Sequence, residues 1–171
     1  MQELVGALDA QQARALGRTA QVVPPALEMP DISKEVEALR RRLAAEGNGA
    51  PLWVCAARLI PSKRVDRAIA HAAAHRARLV IIGDGPEQAR LASFARAHAA
   101  DVTFEGRLPR RQTLAWIAVA DALIHASEAE GLSTVLREAE ALGTPVVYPD
   151  GAFLPLRTLS TTITRRRSWS S

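Results

Sequence analysis

The sequence predicts an α/β protein built on a doubly wound, Rossmann-like parallel sheet, and three observations lead there. Between residues 52 and 147, short apolar runs alternate with longer segments of helical period, the pattern of strands joined by crossover helices. The run Leu79-Val80-Ile81-Ile82 is apolar at every position, as a parallel strand buried on both faces requires. Glycine and proline stand where strands should end and helices begin, in Gly83-Asp84-Gly85-Pro86 and again from Gly106 to Pro109.

Taken in order, the expected strands are Trp53 to Ala56, Leu79 to Ile82, Val102 to Phe104, Ala122 to Ile124 and Pro145 to Val147. Val65, Ala68, Ile69 and Ala72 mark the first crossover helix, and Leu91, Phe94, Ala95 and His98 the second. Leu114, Ile117 and Ala118 mark the third, and Val135, Ala139 and Leu142 the fourth, which Gly143 is placed to end. In such a sheet ligands bind beyond the carboxyl ends of the strands, so the loops there are where chemistry is sought.

The flanks read differently. Residues 1–50 hold a linker with Pro24, Pro25 and Pro30 and one helix, about Ser33 to Ala45, whose apolar face is Val36, Leu39 and Leu43. Arg40, Arg41 and Arg42 are expected on its solvated side. Residues 51–150 form the α/β domain, and 151–171 an irregular Ser/Thr/Arg tail with little to pack.

A chain of 171 residues that is 48% hydrophobic suits one core without disulfides or metals. The single cysteine, Cys55, lies in an apolar run and reads as a buried hydrophobe in a reducing compartment. No apolar stretch approaches the roughly 18 residues that a membrane span needs. The expectation is a soluble, cytoplasmic protein. The net charge of +4 and 4% aromatic content give no basic, aromatic-studded surface, so nucleic acid is not an expected partner.

Two loops carry the chemistry. After the fourth strand, Ser127-Glu128-Ala129-Glu130-Gly131-Leu132-Ser133 leads into a helix that carries Glu138. Glu130 falls just before that helix and Glu138 about two turns inside it, at ~3.6 residues per turn. Between them, the amides of Gly131, Leu132, Ser133 and Thr134 are first-turn donors at the positive end of the helix dipole, an anion site. Carboxylates beside it suit paired sugar hydroxyls, so the arrangement fits a sugar nucleotide. After the first strand, Arg58 and Lys63 bring complementary charge to the same rim and are placed to neutralise a departing nucleoside diphosphate.

The motifs Ala57-Arg58-Leu59-Ile60-Pro61-Ser62-Lys63, Val80-Ile81-Ile82-Gly83-Asp84-Gly85-Pro86, Val102-Thr103-Phe104-Glu105-Gly106 and Ala120-Asp121-Ala122-Leu123-Ile124 occur in this order. Ser127, Glu130-Gly131 and Glu138-Ala139 to Gly143-Thr144-Pro145-Val146 follow them. Over about Pro51 to Asp150 the chain resembles the C-terminal donor-binding domain of the family 4 (group 1) retaining glycosyltransferases, one half of the GT-B architecture. The resemblance implies hexosyl transfer from a nucleotide sugar to an acceptor hydroxyl, with no metal and with the donor as substrate rather than cofactor. It assigns Glu138 to the ribose hydroxyls, Glu130 to the transferred sugar, and the amides from Gly131 to Thr134 to phosphates and sugar. It assigns Arg58 and Lys63 to the diphosphate, and Gly83, Gly85, Gly106 and Arg107 to the wall around the base.

The departures are specific. Ala57 and Arg64 stand where the family has glycines before the arginine and after the lysine, and Leu132-Ser133 replaces Phe-Gly. Residues 1–50 offer no counterpart of the acceptor-binding N-terminal domain, so the chain reads as truncated, with a separate acceptor-binding domain or chain as its expected partner. The alternative is an inactive or split fragment that acts only as a nucleotide-binding module. An epimerase-like sugar-nucleotide enzyme is a third reading. The acceptor stays open.

Simpler roles compete at several residues. Glu138 alone reads as a helix-surface charge paired with Arg137 or Arg111, and Arg58, Lys63 and Glu130 as solvated loop residues. His71 and His75, four apart on a helix, lack a third metal ligand at a recognisable spacing. His125 is placed either to line the cleft or to pack. Trp53 and Trp116 read as core.

Overall fold

The computed structural model describes residues 27–46, 49–128 and 133–149, and the architecture in them is the doubly wound α/β sheet. Helix α1 (Ser33–Glu46) precedes strand β1 (Leu52–Ala56). Then come α2 (Val65–Ala74), β2 (Arg78–Ile82), α3 (Gln88–Ala97), β3 (Val102–Gly106), α4 (Arg110–Val119), β4 (Ala122–Ile124), α5 (Thr134–Leu142) and β5 (Val146–Val147). The five strands are all parallel in the order β3-β2-β1-β4-β5, so the chain reverses its winding between β1 and β4.

Alternation along the strands explains the two-sided core. On one face Cys55, Leu79 and Ile81 pack with Val65, Ile69 and Ala72 of α2 and Leu91 and Ala95 of α3. On the other, Leu52, Val54, Val80 and Leu123 pack with Trp116 and Ile117 of α4 and Ala139 of α5. Leu79, Val80 and Ile81 are each 0% exposed, which is why β2 is apolar without a break. Each such side chain contributes about 1.5–3 kcal/mol of burial free energy, offset by the entropy of ordering the chain.

Helix α1 begins where Asp31 accepts hydrogen bonds from the Ser33 amide (3.0 Å) and hydroxyl (2.6 Å). These two bonds hold the Asp31 carboxyl below its ordinary range. Leu39 and Leu43 of α1 pack against the core on the α4 side, and Arg111 Nε donates to Glu35 at 2.7 Å. The arginine run of α1 is exposed at all three positions, and Arg42 in addition donates to Glu105 of β3 at 2.9 Å and lies 5.4 Å from the Trp116 ring centroid. The aliphatic stem and planar head of an arginine make that dual contact possible.

Side-chain hydrogen bonds anchor the start of β4 and the end of α5. The Asp121 carboxylate accepts the Leu52 amide at 2.9 Å, joining the start of β4 to the start of β1. Gly143, at φ +70°, ends α5, and the buried Thr144 hydroxyl then donates to the Ile117 carbonyl at 2.8 Å. Trp116 is core, 2% exposed. Trp53 is half-buried and stacks against His71, whose ring lies 4.3 Å from that of His75. Among the described residues no group of three His, Cys, Asp or Glu is placed to hold a metal ion, and no helix is long and apolar enough to cross a membrane.

Candidate functional site

Two clefts lie side by side along the carboxyl edge of the sheet and share Ala56 and Ala57. The first, about 280 Å³, opens at the point where the winding reverses, between β1 and β4. It is lined by Lys63 from the β1 loop, by His125 and Ser127 after β4, and by Ser133 and Thr134 at the start of α5. Lys63 is the only Lys, Arg, Asp or Glu among the lining residues the structure describes.

Local chemistry fixes that lysine. Pro61 starts a single 3₁₀ turn, Pro61–Lys63, and Arg64 then takes a left-handed conformation, φ +45°, that releases the chain into α2. The turn is stitched to the β4 loop: the Ser62 carbonyl accepts the Glu128 amide at 3.2 Å and the Ser127 hydroxyl at 3.4 Å. Arg64 reinforces the join, donating to Asp66 at 3.2 Å and to Glu128, which Arg67 also approaches at 3.4 Å. Burial opposes ionisation of Asp66, but hydrogen bonds and charge from Arg64 outweigh it and hold the carboxyl below its ordinary range.

At the far side of the first cleft α5 begins. Ser133 is its extended N-cap and makes no side-chain capping hydrogen bond, and the first turn carries no acid. First-turn amides have no partner within their own helix, and the dipole adds positive potential there. With Lys63 opposite, the described walls of this cleft favour an anion.

The second cleft, about 520 Å³, is lined by Arg58, Gly83, Asp84, Gly85, Arg107 and Leu108, among others. Its walls are an extension of the sheet beyond the strand ends. The Ala57 amide donates to Ile82 (3.0 Å), the Leu59 amide to Asp84 (2.8 Å) and the Gly83 amide to Gly106 (2.7 Å). This pairing runs so close that a Cβ on Gly85 would sit 2.4 Å from the Leu59 carbonyl oxygen. Gly85 has φ +155°, so the glycine is required twice over, by space and by backbone conformation.

Glu138 lies on the second turn of α5, 7% exposed, and is not among the residues lining either cleft. The sequence offers Arg137 or Arg111 as its partner; the structure gives it Arg110, whose Nε donates to Oε1 at 2.9 Å. Arg111 is turned to Glu35 on α1 instead, because adjacent helix positions face different directions.

The structure therefore brings Lys63, Ser133 and Thr134 to one cleft and Arg58, Gly83, Gly85 and Arg107 to its neighbour, whereas Gly106, the last residue of β3 at φ +68°, is not among the residues lining either. Glu130, Gly131 and Leu132 lie outside the described residues, as do residues 150–171, which include the segment expected to be an irregular tail. Sequence reading marks Arg64 only as a departure from the family's glycine, and it does not single out Glu128, Arg110 or the pairs these residues make. Their partners lie 64 and 28 positions away, and nothing in the local pattern signals such pairs. His125, 7% exposed, both lines the cleft and packs edge-on to Tyr148 with ring centroids 6.0 Å apart.

The sequence profile of the family described as Glycosyl transferases group 1 matches residues 37–160. Two proteins described as GDP-mannose-dependent alpha-mannosyltransferase, from Mycobacterium tuberculosis and Mycolicibacterium smegmatis, are 38% and 33% identical to this chain over 114 residues. The match takes in 67% of this chain and 29% of each of those proteins, so the chain spans less than a third of their length. Among solved structures, Anabaena HepE in complex with UDP-glucose superposes with a TM-score of 0.61 at 20% identity, covering 82% of this chain and 43% of that one. AviGT4, a glycosyltransferase involved in avilamycin A biosynthesis, gives 0.51 at 29% identity, covering 61% and 34%.

Proposed function

The chain belongs to the group 1 glycosyltransferases, and from that premise we propose that it is the donor-binding half of a retaining, nucleotide-sugar-dependent hexosyltransferase. The observation that carries the proposal is the anion-favouring cleft at the winding reversal, with Lys63 on one wall and the start of α5 on the other.

In this reading the donor's diphosphate lies in the first cleft and its base in the second, along the shared wall of Ala56 and Ala57. When the bond from the anomeric carbon to the diphosphate oxygen breaks, its electron pair leaves on the phosphate. Lys63 meets that developing charge from its fixed turn in the first cleft, with Arg58 reaching over from the adjoining second cleft, and contacts made where charge develops lower a barrier most. Glu138 takes the ribose hydroxyls, and Glu130 the transferred sugar. The acceptor hydroxyl oxygen then bonds to the face that the diphosphate left, giving up its proton to the departing phosphate oxygen, and the configuration is retained. The acceptor side of the reaction belongs to a further domain or chain.

GDP-mannose is the first donor to test, because both curated relatives are described as using it. Calorimetric titration of the chain with GDP, UDP and ADP, beside Glu138→Ala, decides the matter. Micromolar binding of one nucleotide, lost in the variant, is the expected result. Binding without transfer, once acceptor candidates are added, leaves the nucleotide-binding module. No binding to the folded chain overturns the donor-site reading.

A further inference from the structure

The guanidinium of Arg110, the first residue of α4, serves two distant parts of the chain at once. Its Nε donates to Glu138 Oε1 at 2.9 Å, and its Nη2 donates to the carbonyl oxygen of Glu28 at 2.9 Å. Glu138 is 28 positions ahead in sequence and Glu28 is 82 behind. The Glu138 side chain is 9% exposed and that of Arg110 48%, so one end of the pair is buried and the other reaches the surface.

A carboxylate at that depth is stable only when paired, and its partner then dictates which way it points. Arginine dictates this more strictly than lysine does, because its donors are fixed in one plane: the direction of the Nε bond constrains that of Nη2. The Glu28 carbonyl and the Glu138 carboxylate thus share one planar group, and the direction of each bond constrains the other. The neighbouring Arg111 holds the same incoming segment at Glu35, seven residues further on, but makes no reach to Glu138.

We propose that Arg110 is a positioning residue of the donor site: it orients Glu138 toward the vicinal hydroxyls of the donor's ribose and ties that orientation to the segment preceding α1. This rests on the reading of Glu138 as the ribose ligand. A carboxylate has about four lone-pair positions, so the single bond from Nε leaves room for two hydroxyls. The coupling is independent of the base, because every ribonucleoside diphosphate presents the same diol.

The test is titration of the chain with GDP, UDP and ADP and, for whichever binds tightest, its 2′-deoxy form. The proteins are wild type, Arg110→Ala, Arg110→Lys, Arg111→Ala, Glu138→Ala and the Arg110→Ala/Glu138→Ala double variant. Arg110→Ala is expected to weaken the ribonucleotide about tenfold and the deoxynucleotide much less, so the discrimination between them collapses. Arg110→Lys keeps the charge but not the planar fork and should lose the same discrimination. Arg111→Ala breaks a contact to the same segment and should leave the discrimination intact, which separates positioning from general loosening. The double variant should bind no more weakly than Glu138→Ala. If Glu138→Ala loses the discrimination while both Arg110 variants keep it, the proposal is overturned and the ribose reading stands. If Glu138→Ala binds like wild type, the ribose reading itself fails and the proposal with it.

Discussion

The carbonyl oxygen of Ala57 lies 1.9 Å from where a Cβ on Gly83 would stand. No side chain fits there without moving the backbone of the β1 loop, and that backbone is held in place by the bond from the Ala57 amide to Ile82. Gly83 also has φ +138°. Gly83→Ala is therefore expected to destabilise the domain by about 2–4 kcal/mol, read as a lower urea midpoint at unchanged slope. A variant as stable as wild type would show that the two loops separate easily.

Lys63 supplies positive charge to the first cleft from a fixed turn. Lys63→Ala should weaken nucleoside diphosphates about ten- to a hundredfold while leaving the unphosphorylated nucleoside nearly unaffected, since a charge-assisted contact is worth about 1.5–3 kcal/mol. Parallel titrations at low and high salt check this: the wild-type affinity should fall with salt more steeply than that of the variant.

Arg64 stands at φ +45°, a conformation glycine adopts more easily, and compensates by bridging Asp66 and Glu128. Because Asp66 has its carboxyl held below the ordinary 3.8, its pairing adds stability above that pH, and the addition is lost as pH falls through the lowered value. Unfolding midpoints followed from pH 6 to pH 3 should show wild type ahead of Arg64→Ala at pH 6 and the gap closing toward pH 3. A gap that does not change with pH would remove Asp66 from the account.

Cys55 is 3% exposed, and burial pushes its thiol up from 9.0 to about 12. The native chain should resist thiol reagents at pH 8 and react promptly once urea unfolds it. Because the unfolded thiol ionises first as pH rises, this group's contribution to stability falls from about pH 9 upward, and Cys55→Ala should remove that part of the alkaline decline.

Much of the fold was legible in the sequence. The strands at Leu79–Ile82 and Ala122–Ile124 stand out because an element buried on both faces is apolar throughout, and the crossover helices show the 3.6-residue period that a single buried stripe imposes. The family, too, was legible, through motifs such as Arg58 to Lys63 and Gly83 to Pro86 that fall in one order along the chain. The first cleft was legible only as a location, since the loops after β1 and β4 meet wherever such a sheet reverses its winding.

What the sequence by itself determined is therefore what nearest neighbours along the chain decide: element type, which face of each strand is apolar, and where glycine must end a helix, as Gly143 does. Only the tertiary structure decided that Arg110 rather than Arg111 or Arg137 holds Glu138, that Arg42 reaches Glu105, and that Gly83 passes against Ala57. The reason is physical. Periodicity is a record of burial along one segment, whereas a hydrogen bond or a steric contact between residues tens of positions apart depends on how two separate elements are rotated and offset when they pack, and no local pattern encodes that.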